Sequence, residues 1–187
     1  MSNLCIIPAR GGSKRIPKKN IKDFLGKPII SYSIKSAKQS NLFDEIIVST
    51  DDKNIAKIAK KFGVRVPFIR SKKNSDDFAS TFDVLKEVIF YYKKKKIFFD
   101  NICCFYPCAP LVSPNLLIEA YERLIKKKYD SIFPIVAYGH PVQRAFKEVD
   151  GKVFMQSDKN LNIRSQDLEV LYHDAGQFYW CNTNKLL

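Results

Sequence analysis

Residues 6–20 read IIPARGGSKRIPKKN, an apolar run that opens into two glycines and then a basic segment closed by an asparagine. The stretch LCIIPA, residues 4–9, is apolar at successive positions, which is the pattern of a strand covered on both faces of a parallel sheet. Gly11 and Gly12 free the following chain to turn without side chains in the way. Arg10, Lys14, Arg15 and Lys19 then crowd positive charge into one loop. In an open α/β sheet, ligands collect beyond the carboxyl ends of the strands, and this loop stands directly after the first one. Backbone N–H groups at Gly11 and Gly12 can cradle phosphate oxygens, while arginine grips them in bidentate fashion. The spacing is neither GxxxxGK[ST] nor GxGxxG, which disfavours a P-loop kinase and a dinucleotide dehydrogenase. A basic turn that is merely solvated is the competing reading of the same residues.

Outward from this loop the chain alternates between strand and helix. PIISYSIKSAKQS carries Ile29, Ile30, Ile34 and Ala37 at helical spacing, with Pro28 suited to a first turn. EIIVST, residues 45–50, is a second buried strand. DDKNIAKIAKKFG, residues 51–63, is an amphipathic helix that begins in aspartates and ends in lysines and Gly63. VRVPFIR (64–70), NICCFYP (101–107) and DSIFPIVA (130–137) read as further strands. STFDVLKEVIFYY (80–92) and SPNLLIEAYERLIKKK (113–128) read as helices, the second with Ser113 as cap and Pro114 at its first position. This alternation predicts a doubly wound, mostly parallel Rossmann-like α/β sheet. AFKEVDGKVFMQ, residues 145–156, predicts a hairpin around Asp150-Gly151, and an aromatic strand closes the chain. The expected organisation is one domain over 1–187 carrying an insertion at 138–170.

A chain of 187 residues with 45% apolar residues can bury a core of its own. The net charge of +13 points to an anionic partner and does not choose among nucleic acid, an acidic membrane and a phosphorylated small molecule. No secretory pattern opens the sequence and no run of eighteen apolar residues occurs, so a soluble, cytoplasmic protein is expected. The lysine runs at 93–96 and 126–128 follow predicted helices, where cations complement the helix dipole. Contact with nucleic acid is the alternative for them. Cys5, Cys103, Cys104, Cys108 and Cys181 lack the spaced pairs of a zinc site, and Cys103 and Cys104, adjacent in an apolar run, read as small core residues.

IIPARGGSKRIPKKNI, together with IIVSTDD, DDFAST, YPCAPL and YHDAGQFYW in the same order, resembles the acylneuraminate cytidylyltransferases, which activate nine-carbon acidic sugars. HPVQRAF and RSQDLEVLYHDAGQFYW are most similar to the branch that activates pseudaminic acid; sialic acid and legionaminic acid are the alternatives. The resemblance implies a GT-A-like nucleotidyltransferase that joins CTP to the anomeric hydroxyl of the sugar and releases pyrophosphate with the help of Mg²⁺. It matches Arg10, Gly11, Gly12, Ser13, Lys14, Lys19 and Asn20 to the loop that holds the triphosphate, with Arg10 and Lys14 catalytic. It places Arg70, Asp77 and Thr81 around the cytosine and ribose, although capping of a helix also accounts for Thr81 or Ser80.

A sugar carboxylate calls for arginine, and hydroxyl and acylamino groups call for amides and carboxylates. Gln143, Arg144, Arg164 and Gln166 supply that mixture, and His173 and Asp174 match polar positions of the resembling enzymes. Tyr106 stands where sialic-acid members carry glutamine and Gln143 where they carry lysine, so a different sugar is expected. The resemblance puts the metal-binding Asp-x-Asp pair beyond residue 187. The chain is accordingly expected to be a fragment with impaired catalysis and no metal ligands of its own. Asp51 and Asp52 read first as helix caps, with a metal role as the alternative. A homodimer built through the Asp150-Gly151 segment is also expected. The rival classes are a CTP-binding protein without turnover and an RNA-binding domain, the latter lacking any aromatic-rich base-stacking pattern.

Overall fold

Strand β1 (Asn3–Pro8) is buried along nearly its whole length and pairs in parallel with a neighbour on each side, which makes it the axis of the fold. The computed structural model describes residues Met1–Leu187, the side chain of Asp158 excepted. Two short strands, β2 (Asp23–Phe24) and β3 (Lys27–Pro28), form a ribbon after the basic loop. Helix α1 (Ile30–Gln39) follows, so Pro28 lies two residues before the helix and not in its first turn. Strand β4 (Glu45–Ser49), helix α2 (Lys53–Lys61), helix α3 (Thr81–Lys94), strand β5 (Asn101–Phe105) and helix α4 (Pro114–Lys127) come next. The remaining elements are β6 (Ser131–Ile132), β7 (Ile135–Ala137), β8 (Phe146–Val149), β9 (Lys152–Met155), β10 (Tyr172–Asp174), β11 (Phe178–Asn182) and α5 (Thr183–Leu186).

The main sheet has the order β4-β1-β5-β11-β6. β4, β1 and β5 are parallel, and β11 runs antiparallel to both β5 and β6. Alternation along the strands sends Cys5, Ile7, Cys103, Phe105, Phe178 and Trp180 to one face, where α1, α2 and α4 cover them. Leu4, Ile6, Ile47, Ile102 and Cys104 face the other side under Leu85, Val88, Ile89 and Tyr92 of α3. Adjacent Cys103 and Cys104 thus enter two different cores, and burial pushes both thiols well above the ordinary cysteine value.

Two predicted strands differ from the structure for a common reason. In VRVPFIR the imide of Pro67 cannot donate to a ladder. Only isolated parallel bridges form there, Ile47 with Arg65 and Thr50 with Ile69. DSIFPIVA is cut at Pro134, so that β6 joins β11 while β7 pairs antiparallel with β10. The same proline opens a second compact unit, Pro134–Ala175; the first comprises Met1–Phe133 and Gly176–Leu187. Within the second unit β8 and β9 form the predicted hairpin, with Val149 opposite Lys152. Asp150 and Gly151 both take positive φ, 51° and 73°, as a type I′ turn requires.

Helix ends follow local chemistry. Ser113 caps α4 by accepting from the Leu116 N–H, with Pro114 behind it. Ser80 and Asp83 form a reciprocal capping box at the start of α3. The Ser80 Oγ accepts from the Asp83 N–H at 3.2 Å, and the Asp83 carboxylate accepts from the Ser80 N–H at 3.0 Å. Lys93 and Lys94 end α3 and Lys126 and Lys127 end α4, exposed where the helix dipole favours cations.

Trp180 is fully buried between Phe43 and Tyr121, with ring centroids 5.0 Å away on each side. Trp180→Ala is expected to cost about 3–5 kcal/mol in urea unfolding, and Ser80→Ala about 1 kcal/mol. Hydrogen bonds from Ser80 hold the Asp83 carboxyl below its ordinary value. A depressed folded pKa stabilises above the unfolded value of about 3.9 and is lost as pH falls through the folded one. The stability difference between wild type and Asp83→Asn is therefore expected at neutral pH and should vanish in acid-range unfolding curves.

Candidate active site

β1 lies where the chain's winding reverses: α1 leads to β4 on one flank and α3 to β5 on the other. Beyond the carboxyl ends of these strands opens a cleft of about 810 Å³ in the first unit. Its wall contains Arg10, Ser13, Lys14, Arg15, Lys19 and Asn20 from the basic loop. Arg70, Asp77, Thr81 and Tyr106 from three other segments complete it. The sequence reading separated these residues into a phosphate group, a base group and, for Tyr106, a sugar group. The structure brings all of them to one cavity.

The loop is held from both ends. Gly11 donates its N–H to the Asp51 carboxylate at 2.8 Å, and Asn20, itself buried, donates its side-chain amide to the Arg10 carbonyl at 2.8 Å. Gly11 therefore does not offer its N–H to the cleft as expected, and neither glycine lines it. A Cβ at Gly11 would stand 2.8 Å from Asp52 Oδ2 and 2.9 Å from Asp52 Cβ, so close packing is what this glycine provides. At Gly12 a Cβ would meet open space. The aspartates divide the labour: Asp52 caps α2 by accepting from the N–H groups of Asn54 and Ile55, whereas Asp51 anchors the loop.

Arg70 is 5% exposed, and its guanidinium donates to the Ser49 hydroxyl at 3.0 Å and to the Ser49 carbonyl. Burial pulls its pKa below the ordinary arginine value, while the charge of Asp51 acts in the opposite direction. Thr81 is the first residue of α3 and not its cap; Ser80 takes that task. The Thr81 hydroxyl instead lies 3.1 Å from the Tyr106 phenol. Tyr106 is fixed further by its own N–H to Gln177, by its carbonyl, which accepts from the Ser33 hydroxyl, and by an edge contact with Tyr179.

Asp77 faces the cations. One of its oxygens is 2.9 Å from Arg10 Nη2 and the other pairs with Lys14 Nζ. Arg10 Nη1 also donates to the Asp76 carbonyl at 2.6 Å. The lysine bond, reinforced by Arg10, holds the Asp77 carboxyl below the usual carboxylate range. Sequence reasoning missed Asn74, Asp76 and Cys108 as lining residues. Cys108, given no site role from the sequence, is half-buried at the cleft with its thiol 3.3 Å from Asn20 Oδ1. YPCAPL carried a usable signal for it, since a turn directly after a central strand is a site position.

Gln143, Arg144, Arg164, Gln166, His173 and Asp174 all belong to the second unit. There Gln143 donates to the Glu169 carbonyl at 2.7 Å, Arg144 to the Ile163 carbonyl, and Arg164 pairs with Asp167 at 2.6 Å. His173 lies on β10, with its ring against Tyr138 and its Nδ1 2.9 Å from the Asp174 carbonyl. Among the described residues no three or more histidine, cysteine, aspartate or glutamate side chains gather as metal ligands. Asp51 Oδ1 accepts from the Gly11 N–H, Asp52 Oδ1 accepts at the start of α2, and Asp77 pairs with two cations.

The cytidylyltransferase family profile matches residues 4–185. A pseudaminic acid cytidylyltransferase of Campylobacter jejuni is 48% identical over 181 residues, 96% of this chain and 78% of that protein. The CMP-N,N'-diacetyllegionaminic acid synthase of Legionella pneumophila is 36% identical over 72% of this chain and 59% of that protein. The fold is similar to that of a CMP:2-keto-3-deoxy-manno-octonic acid synthetase complexed with CTP, with a TM-score of 0.75 at 20% identity over 100% of this chain and 76% of that one. With a profile match spanning both units and sequence similarity on this scale, the chain belongs to the cytidylyltransferase family.

Proposed function

We propose that the chain joins CTP to pseudaminic acid, giving the CMP-sugar and pyrophosphate. The observation that carries this reading is the convergence of Arg10, Lys14, Arg15 and Lys19 with Arg70, Thr81 and Tyr106 in one cleft at the strand ends. The 48% identity to the Campylobacter jejuni enzyme supports the choice of sugar. The loop cations take the triphosphate. Arg70, held rigid against Ser49, and the Thr81–Tyr106 pair form the wall that receives the cytosine and ribose.

The chemistry is electrostatic before it is acid–base. As the anomeric hydroxyl attacks the α-phosphorus in line, negative charge grows on the phosphoryl oxygens and on the departing pyrophosphate. Arg10 and Lys14 offset it. Mg²⁺ bound to a triphosphate would add counter-charge. We assign the sugar-recognising amides and guanidiniums to the second unit, whose hairpin also serves the association of two copies.

Calorimetry of the full chain is expected to give CTP binding that ATP does not match. Arg10→Ala should weaken CTP roughly 10- to 100-fold, the scale of lost charge-assisted hydrogen bonds of about 1.5–3 kcal/mol, without lowering the melting temperature. Arg70→Ala is expected to lower both affinity and stability, because it empties a buried position. Absence of CTP binding by the folded wild-type chain would overturn the reading. Pyrophosphate release with N-acetylneuraminic acid in preference to pseudaminic acid would overturn the sugar.

A further inference from the structure

We propose that Asp77 is a competing carboxylate that occupies the cationic end of the cleft and must be displaced from Arg10 and Lys14 by an incoming polyphosphate. The inference rests on the reading of the basic loop as a triphosphate cradle. It also reassigns Asp77, which the family resemblance sets beside the cytosine and ribose. The two Asp77 oxygens are divided between Arg10 and Lys14, so a single side chain bridges the two cations assigned to the reacting phosphates. A bridging phosphate would draw on the same two cations, and the carboxylate and the ligand therefore compete for them.

The position of Asp77 is set by its neighbours. Asp76 Oδ1 accepts from the N–H groups of Phe78 at 2.9 Å and Ala79 at 2.7 Å, and its carbonyl accepts from Arg10. The Ser80–Asp83 capping box fixes the chain immediately afterwards. Asp77 is thus presented from a braced turn, and the mobile partner is Lys14, whose side chain is 81% exposed. Exposed ion pairs are weak one at a time. A carboxylate bearing one charge gives way to pyrophosphate or a nucleoside triphosphate, which bring several charges to both cations at once. Breaking its two pairs costs the same whichever anion takes both cations, so the anions that gain most from those cations bind best against it. The same competition favours departure of pyrophosphate after transfer, because Asp77 re-forms its two pairs as that product leaves.

The test is calorimetry of inorganic pyrophosphate and orthophosphate with the full chain as wild type, Asp77→Asn, Asp77→Glu and Arg10→Ala, at low and at physiological ionic strength. Asp77→Asn is expected to tighten pyrophosphate roughly three- to tenfold, the scale of two exposed ion pairs, and to tighten orthophosphate by a factor no larger. The gain should shrink with added salt, and Asp77→Glu should restore wild-type behaviour. A folded Asp77→Asn protein that binds pyrophosphate no more tightly than wild type, while Arg10→Ala abolishes binding, overturns the role of Asp77 and leaves the cradle standing. Failure of wild type and Asp77→Asn alike to bind pyrophosphate or CTP overturns both.

Discussion

The structure depends on keeping a densely cationic loop ordered at the end of a buried strand. Arg10, Lys14, Arg15, Lys18 and Lys19 repel one another, and a free loop of that composition would spread into solvent. Among the contacts that restrain it are the Gly11 N–H on Asp51, the Asn20 amide on the Arg10 carbonyl, and Asp77 between Arg10 and Lys14. Each reaches a different segment. Asp51 follows β4, Asn20 closes the loop on itself, and Asp77 precedes α3. The loop therefore inherits its shape from the sheet, and the parallel order β4-β1-β5 sets which segments can reach it.

That arrangement also explains why the cleft combines firm and loose parts. Arg70 and Asn20 are buried, and Tyr106 is pinned through its N–H, carbonyl and hydroxyl, so one wall is preorganised. Lys14 and Lys19 reach into the cavity from the exposed side. A rigid wall suits a planar base whose edge must be read by fixed donors and acceptors. Flexible cations suit a polyphosphate that changes charge distribution and length during the reaction.

Much of this was legible in the sequence where the signal is local. Continuous apolar runs marked β1, β4 and β5, Ser113-Pro114 marked the start of α4, and Asp150-Gly151 marked a hairpin whose two turn residues do take positive φ. The misreadings arose where β-rich composition met a proline. Pro67 and Pro134 interrupt segments whose neighbours are otherwise good strand formers, and a ladder cannot continue past a missing donor. Tertiary partners were less accessible. Asp51 beside Asp52 looks like a pair of caps, and nothing local says that one of them turns back to Gly11. Asp77 could be named as a site residue from its motif, but its position between Arg10 and Lys14 depends on α3 meeting the loop after β1, a separation of more than sixty residues.

The partners of Arg70 close the physical argument. A buried guanidinium is costly unless its donors are met. Here the acceptors are the Ser49 hydroxyl and carbonyl, and Asp51 lies near enough to favour the charged form. Main-chain and hydroxyl oxygens satisfy hydrogen bonds without carrying a formal charge of their own. Arg70 is thus bonded only to neutral oxygens, with the Asp51 and Glu87 carboxylates acting on it through space, whereas Arg10 is bonded directly to the Asp77 carboxylate. Of the arginines that line the cavity, Arg10 is therefore held by a carboxylate that a stronger anion must displace and Arg70 is not, and the difference lies in what each guanidinium is bonded to.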